Sequence, residues 1–362
     1  MRLLVDLDRR ILMPADVVDW EVARAVGIRV SPKGPVVSRQ RADEVVASLR
    51  EHAVAAVLPV EECTGLSAPA DAPPAMVVDR AGWVTSNVES FRFVLSPVLD
   101  RVRLGADEPG SVARAGSRLT AMQLGVALGW MSGRVLGQYE ALVPAGSQPR
   151  LLLVAPNILR VADELGVDER DFQLWVCLHE QTHRTQFTAV PWLADHFATE
   201  VRSLVAATDV PVAEYLGRLG AIVRALMKAM RGVGGSTDVL KAAMSTGQRE
   251  TFDRLMVFMT LLEGHADVIM DEVGPEVVPT VGKIREAFDR RRAHPGPVDS
   301  VARRFLGLDA KMRQYSEGAV FVRSVMDRVG MSGLNEVWRG PANLPTQSEI
   351  DDPAAWVRRV HG

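Results

Sequence analysis

The chain has 362 residues, and its 42 lysines and arginines nearly balance its 45 aspartates and glutamates, giving a formal net charge of −3. This balance argues against nucleic acid or an anionic membrane as a partner, because both are bound through basic surfaces. The 47% of apolar residues include no uninterrupted run long enough to span a membrane, the two cysteines cannot form a disulfide framework, and the first residues lack the apolar run of a signal peptide. We therefore expect a globular, cytoplasmic protein.

Apolar residues recur at three- and four-residue intervals along most of the chain, which predicts a mainly α fold. The predicted helices cover residues 42–52, 91–102, 124–140, 168–191, 194–206, 212–231, 248–271, 281–292 and 315–329. The continuous apolar run RLLLVAP at 150–156 predicts one short strand, so we expect at most a small sheet. An amino-terminal helical region, residues 1–115, precedes a catalytic region, residues 116–362, within one continuous domain.

The helix predicted for residues 124–140 carries a glycine at every fourth position, from Gly125 to Gly137. Glycines with this spacing share one face of a helix. We expect a neighbouring backbone to approach that face closely.

The segment His179-Glu180-Gln181-Thr182-His183 carries the first sign of chemistry. Histidines four residues apart lie on the same face of a helix, so both imidazoles can reach one metal ion. Glu180 follows the first histidine and can serve as the general base for a metal-bound water. This arrangement is typical of zincin metallopeptidases, which hold Zn²⁺ through the two histidines.

A catalytic zinc also needs a third protein ligand, and the segment Leu262-Glu263-Gly264-His265-Ala266-Asp267 offers one. Glu263 and Asp267 are four residues apart, as in gluzincins, so one can ligate the ion while the other orients a ligating histidine. His265 competes for the role but is rotated by about 200° from Glu263. The sequence favours Glu263 as the ligand, with Asp267 and His265 beside the site, and leaves open that neither Glu263 nor His265 ligates.

Two stretches around these residues, DFQLWVCLHEQTHRTQFTAVPWL at 171–193 and LLEGHADVIMD at 261–271, resemble the zincin-like metallopeptidase type 2 family, which is common in actinobacteria. Similar stretches at 83–91, 128–140, 152–158, 246–267 and 306–322 extend the resemblance over nearly the whole chain. The resemblance implies a zinc-dependent hydrolase with a mostly helical fold. Some family members co-occur with biosynthesis of the deazaflavin redox coenzyme.

The expected activity is hydrolysis of a peptide or small amide, with Zn²⁺ held by His179, His183 and Glu263 and the attacking water activated by Glu180. The strand at 151–154 is expected to hold the substrate main chain. Two alternatives stay open: a non-catalytic zinc-bound scaffold that binds a partner, and an amide hydrolase in deazaflavin coenzyme metabolism.

Zincins often add a side chain that stabilises the oxyanion of the tetrahedral intermediate. The chain has three tyrosines, Tyr139, Tyr215 and Tyr315. We predict Tyr315 for this role, because it follows the third-ligand helix in a stretch that the family shares. Tyr139 is the second choice.

Overall fold

The computed structural model describes residues 18–69, 71–104, 111–144, 146–206, 244–293 and 308–362. Its helices are α1 (Trp20–Val30), α2 (Arg39–Ala55), α3 (Val57–Thr64), α4 (Arg80–Leu104), α5 (Ser111–Ser132), α6 (Ala155–Leu165), α7 (Glu169–Ala189), α8 (Leu193–Ala206), α9 (Thr246–Glu272), α10 (Gly274–Val277), α11 (Val281–Ala293), α12 (Leu308–Leu334), α13 (Gln347–Asp351) and α14 (Pro353–His361). Its strands are β1 (Met76–Val78), β2 (Gly137–Glu140) and β3 (Arg150–Val154). The prediction of a mainly α fold with a small sheet is confirmed, while the helix predicted at 212–231 lies outside the described residues.

The three strands form one sheet in the order β1-β3-β2. The strand β3 pairs in parallel with β1 and antiparallel with β2, and its residues from Leu151 to Val154 are buried. Both edges of β3 are therefore occupied, so this strand cannot pair with a substrate. The expectation that residues 151–154 hold the substrate main chain is wrong, and β1 and β2 form the two edges of the sheet.

The prediction of one helix over residues 124–140 is also wrong for the second half of that range. The helix α5 ends at Ser132, and residues 137–140 form β2. Glycine weakens a helix, and pairing with β3 supplies the hydrogen bonds that stabilise the segment as a strand. Two of the glycines do meet a neighbouring backbone. A Cβ atom on Gly125 or Gly129 would collide with the carbonyl oxygen of Ala23 or Gly27 in α1.

The helices that carry the two motifs begin at side-chain caps. Asp168 accepts a hydrogen bond from the backbone N–H of Asp171 at 2.9 Å, which starts α7 as the sequence predicts. Ser245 and Gln248 form a capping box at the start of α9. These caps satisfy backbone N–H groups that the first turn of a helix leaves free.

The helix α7 lies in the interior, with twelve of its residues buried between α2, α6, the sheet and α9. The helix α9 also packs along α12, where Gly264 faces the backbone of Gly318 so closely that a Cβ atom would overlap it. Gly264 therefore permits a close approach of α9 to α12. The helix α5 crosses the predicted boundary at residue 115, so the two predicted regions share a helix. Among the described helices, none combines the length and apolar character that crossing a bilayer requires.

Candidate metal centre

Three potential ligands from α7 and α9 converge on one point. The Nε2 atoms of His179 and His183 are 3.2 Å apart, and Glu263 Oε2 lies 3.5 Å from the first and 3.7 Å from the second. All three side chains are partly buried. Within the described residues, this is the one group of three or more histidine, cysteine or carboxylate side chains close enough to share a cation.

Burial and charge set the protonation of this group when no ion is bound. Burial favours the neutral imidazole of His183, but the Glu263 carboxylate outweighs it and raises the pKa of His183 to about 9. Burial likewise opposes ionisation of Glu263, yet the two imidazoles hold the pKa of that carboxyl well below its usual range. Without an ion, the negative charge of Glu263 is therefore balanced by a proton on His183. A bound cation would displace that proton and take its place beside the carboxylate.

Glu180 lies beside the three converging atoms and is 6% exposed. Burial raises the pKa of its carboxyl, and the neighbouring Glu263 carboxylate adds to the rise, while the imidazoles of His179 and His183 oppose it. A carboxylate with a raised pKa is a stronger base than one in water. Gly137 of β2 leaves the space for this side chain, because a Cβ atom there would lie 2.5 Å from Glu180 Cδ.

Asp267 does not orient a ligating histidine through any described contact. Its Oδ1 atom lies 3.5 Å from Arg285 Nη1, and the same guanidinium also binds Asp271. The Nδ1 atom of His179 instead faces the Met270 Sδ atom at 3.0 Å. The structure thus places Asp267 one helical turn after Glu263, as the spacing predicts, but pairs it with an arginine from α11.

His265 is not one of the three converging side chains and is fully buried. Its Nδ1 atom lies 2.9 Å from Nε2 of Gln186, and its ring packs edge-on against Trp338. Burial lowers the pKa of His265 to about 3, so the ring is neutral. Gln186 is the residue that sequence reasoning missed, although its position three residues after His183 places it beside that histidine on the same helix face.

Tyr139 lies in β2, and its ring stacks on Phe187 of α7 at 5.8 Å between centroids. Burial raises the pKa of its hydroxyl to about 12, against the opposing effect of Arg184. Tyr315 belongs to α12, but its side chain is outside the described part of the structure, as is the whole of Tyr215. The role of Tyr315 therefore stays a prediction.

A cavity of about 220 Å³ opens beside His179, Glu180 and Glu263. Most of its remaining wall is apolar and comes from α7, α9, α11 and the residue before β2. The lining residues besides the three named are Leu136, Trp175, Val176, Asp267, Met270 and Phe288. Two aromatic rings, Trp175 and Phe288, lie 5.0 Å apart in this wall.

The model of one protein family, described as zincin-like metallopeptidase, matches residues 18–357. The chain belongs to this family. The zincin-like assignment confirms the resemblance of the motif regions and makes the protein a hydrolase of the metallopeptidase kind. A crystal structure from Chloroflexus aurantiacus, described as that of a candidate hydrolase with a novel fold, matches with 28% identity and a TM-score of 0.68, covering 95% of this chain and 99% of that one. Comparison with curated proteins gives no match.

Zincins bind zinc, and the converging atoms fit that ion. Ligands held tetrahedrally at about 2.0–2.1 Å from zinc lie about 3.3–3.4 Å from one another. The three distances here run from 3.2 to 3.7 Å. Two imidazole nitrogens and one carboxylate are also a donor set that catalytic zinc sites use, with one coordination position left for solvent or substrate.

Proposed function

We propose that the protein is a zinc-dependent peptidase in which His179, His183 and Glu263 hold the ion and Glu180 is the general base. The observation that carries the proposal is the position of Glu180, buried against both imidazoles and lining the same cavity as His179 and Glu263. Bound zinc supplies a Lewis acid that polarises a carbonyl and makes a coordinated water more acidic. A purely structural zinc site would have no need of an unligated carboxylate and a cavity beside it.

Glu180 would take a proton from the attacking water and deliver it to the leaving amine. Its burial supports this role, because a carboxylate removed from bulk water has a raised pKa and so a higher affinity for the proton in transit. Glu180 is 6% exposed, and Leu136 and Val176 contribute apolar surface to the cavity that it lines. Proton transfer within this apolar surrounding avoids loss of the proton to solvent.

The edge of β2 is the best candidate to hold the substrate main chain. Leu136 O accepts a hydrogen bond from Val154 N at 2.8 Å, so by antiparallel alternation the main-chain groups of Gly137 and Tyr139 point away from β3. Within the described residues the sheet has no strand beyond β2. An extended peptide paired with this edge would pass Gly137, which touches Glu180.

The cavity supports a substrate with an uncharged apolar side chain next to the scissile bond. Its volume is below the range of about 300–1,000 Å³ that holds a drug-sized ligand, which suits a single amino-acid side chain. Two of the three acidic wall residues, Glu180 and Glu263, are the proposed base and a proposed ligand, and the carboxylate of the third, Asp267, is paired with Arg285. The rings of Trp175 and Phe288 leave an apolar surface for leucine, methionine or phenylalanine side chains.

The decisive experiment compares zinc-loaded wild type, Glu180→Gln and His183→Ala on a randomised peptide library with mass-spectrometric detection of cleavage. We expect wild type to cleave, Glu180→Gln to bind about one zinc per chain without cleaving, and His183→Ala to lose the metal. Undiminished cleavage by Glu180→Gln would refute the mechanism. A zinc-loaded wild type that leaves the whole library intact would refute the peptidase assignment.

A further inference from the structure

We propose that Gln186 is a positioning residue for the metal centre, which fixes the ring of His183 and joins the two helices that carry the ligands. Its side chain is fully buried and makes three polar contacts. Oε1 lies 3.0 Å from His183 Nδ1, and Nε2 lies 3.0 Å from the carbonyl oxygen of Leu262 and 2.9 Å from His265 Nδ1. The inference rests on His183 as a ligand but not on hydrolysis.

The orientation of the amide follows from the Leu262 carbonyl. A carbonyl oxygen only accepts hydrogen bonds, so the Gln186 atom that faces it must be the nitrogen. The amide oxygen must then face His183 Nδ1. An amide oxygen only accepts, and Nδ1 of His183 must therefore carry the proton.

When a metal ion displaces the second proton of His183, this assignment leaves the lone pair on Nε2, the atom that faces His179 and Glu263. A ligating histidine commonly has its other ring nitrogen held by a hydrogen-bond acceptor, which sets both tautomer and ring orientation. The gluzincin-like spacing of Glu263 and Asp267 predicts that the Asp267 carboxylate accepts this hydrogen bond from a ligating histidine. Here an uncharged amide oxygen holds His183, and Asp267 is paired with Arg285 instead.

The same amide fixes His265. Both protons of the Gln186 nitrogen are donated, one to the Leu262 carbonyl and the other to His265 Nδ1. Nδ1 of His265 must therefore accept, so the ring is neutral with its proton on Nε2. Within the described part of the chain Nε2 has no hydrogen-bond partner, and the ring lies against Trp338. His265 thus acts as a buried acceptor that aligns Gln186.

The contacts of Gln186 also set the relative position of the ligands. Leu262 and His265 flank Glu263 on α9, whereas His183 is on α7, so one side chain spans the interface between the helices. Sliding or rotation of α9 against α7 would break buried hydrogen bonds, and an unsatisfied buried polar group is costly. Gln186 therefore holds the Glu263 carboxylate in reach of both imidazoles.

The test uses the full chain with Gln186→Met, which keeps the length of the side chain and removes its hydrogen bonds. The matched control is Gln181→Met, because Gln181 is equally buried on α7 but hydrogen-bonds Thr185 and touches no proposed ligand. Zinc affinity is measured by competition with a chelator. We expect Gln186→Met to bind zinc about 10- to 100-fold more weakly than wild type and Gln181→Met to match wild type.

Imidazole ¹⁵N NMR of the zinc-loaded proteins supplies a readout that mere destabilisation would not produce. In wild type we expect His265 to be the Nε2–H tautomer and the His183 Nδ1–H to be protected from solvent exchange. In Gln186→Glu, which also serves if the methionine variant does not fold, the carboxylate still accepts from His183 but has no proton for His265, so His265 should acquire a proton on Nδ1.

Unchanged zinc affinity in Gln186→Met, or wild-type His265 tautomer in Gln186→Glu, would overturn the role of Gln186. Loss of affinity in Gln181→Met equal to that in Gln186→Met would also overturn it, because burial alone would then explain the effect. Failure of the wild type itself to bind zinc would instead refute the proposed metal centre. The two failures are therefore distinguishable without any substrate.

Discussion

Gly137 and Glu180 are in direct contact across the interface between β2 and α7, and the carboxylate occupies the position that a side chain on Gly137 would need. A Cβ atom at Gly137 would lie 2.5 Å from both Cγ and Cδ of Glu180 and 2.7 Å from its Oε1 atom. The backbone of Gly137 has no positive φ angle. The requirement for glycine here comes from space beside the carboxylate and not from backbone conformation.

The substitution Gly137→Ala should therefore displace Glu180 without disturbing the three converging ligand atoms. We expect hydrolysis to fall by about tenfold to a hundredfold, since a displacement of about 1 Å in a catalytic group has effects of this size. Zinc content should stay at the wild-type level. The control is Gly247→Ala in α9, where a Cβ atom meets nothing within 4 Å. Wild-type hydrolysis by Gly137→Ala would show that Glu180 tolerates the displacement or is not the base.

The substitution Phe288→Ala tests the apolar cavity. Removing this ring should reduce cleavage beside leucine, methionine and phenylalanine by about tenfold, because lost apolar contacts of this kind are worth about 1–3 kcal/mol. Library cleavage followed by mass spectrometry measures the preference, and a melting curve checks folding. Phe91→Ala, at a phenylalanine that is 40% exposed and does not line the cavity, is the control. An unchanged preference in Phe288→Ala would place the substrate side chain elsewhere.

The ion pair between Glu349 and Arg359 predicts a pH dependence of stability remote from the metal centre. Burial opposes ionisation of Glu349, but hydrogen bonds from Arg359 and from Thr346 outweigh it and lower the pKa of its carboxyl. The ionised group therefore stabilises the fold above the unfolded-state pKa of about 4.3, and this contribution disappears as the pH falls through the lower pKa of the folded state.

Glu349→Gln should accordingly reduce the free energy of unfolding at pH 7 by about 1 kcal/mol. The difference from wild type should shrink as the pH falls below about 4. Urea unfolding at several pH values measures both quantities. Asp352→Asn is a suitable control, because its pair with Arg358 is exposed on both sides. A difference that stays constant from pH 7 to pH 3 would contradict the assignment of the charge.

Features that depend on neighbouring residues could be predicted from the sequence, whereas features that depend on residues far apart in the chain could not. The start of α7 at Glu169 was predictable because Asp168 caps it through a contact three residues away. The strand at 137–140 was not, because its glycine spacing is equally compatible with a helix and only pairing with β3 decides between them. The open edge of the sheet was unpredictable for the same reason.

That His179 and His183 share a helix face follows from their spacing alone, because the helical period is a property of the local backbone. Their spacing does not determine that Glu263 approaches both imidazoles while His265 contacts Gln186, because this depends on how the helices pack. The rotation of α9 against α7 selects which of Glu263 and His265 faces the imidazoles. Contacts far apart in sequence fix this rotation, with Gln186 on one side of α9 and the close approach of Gly264 to Gly318 on the other.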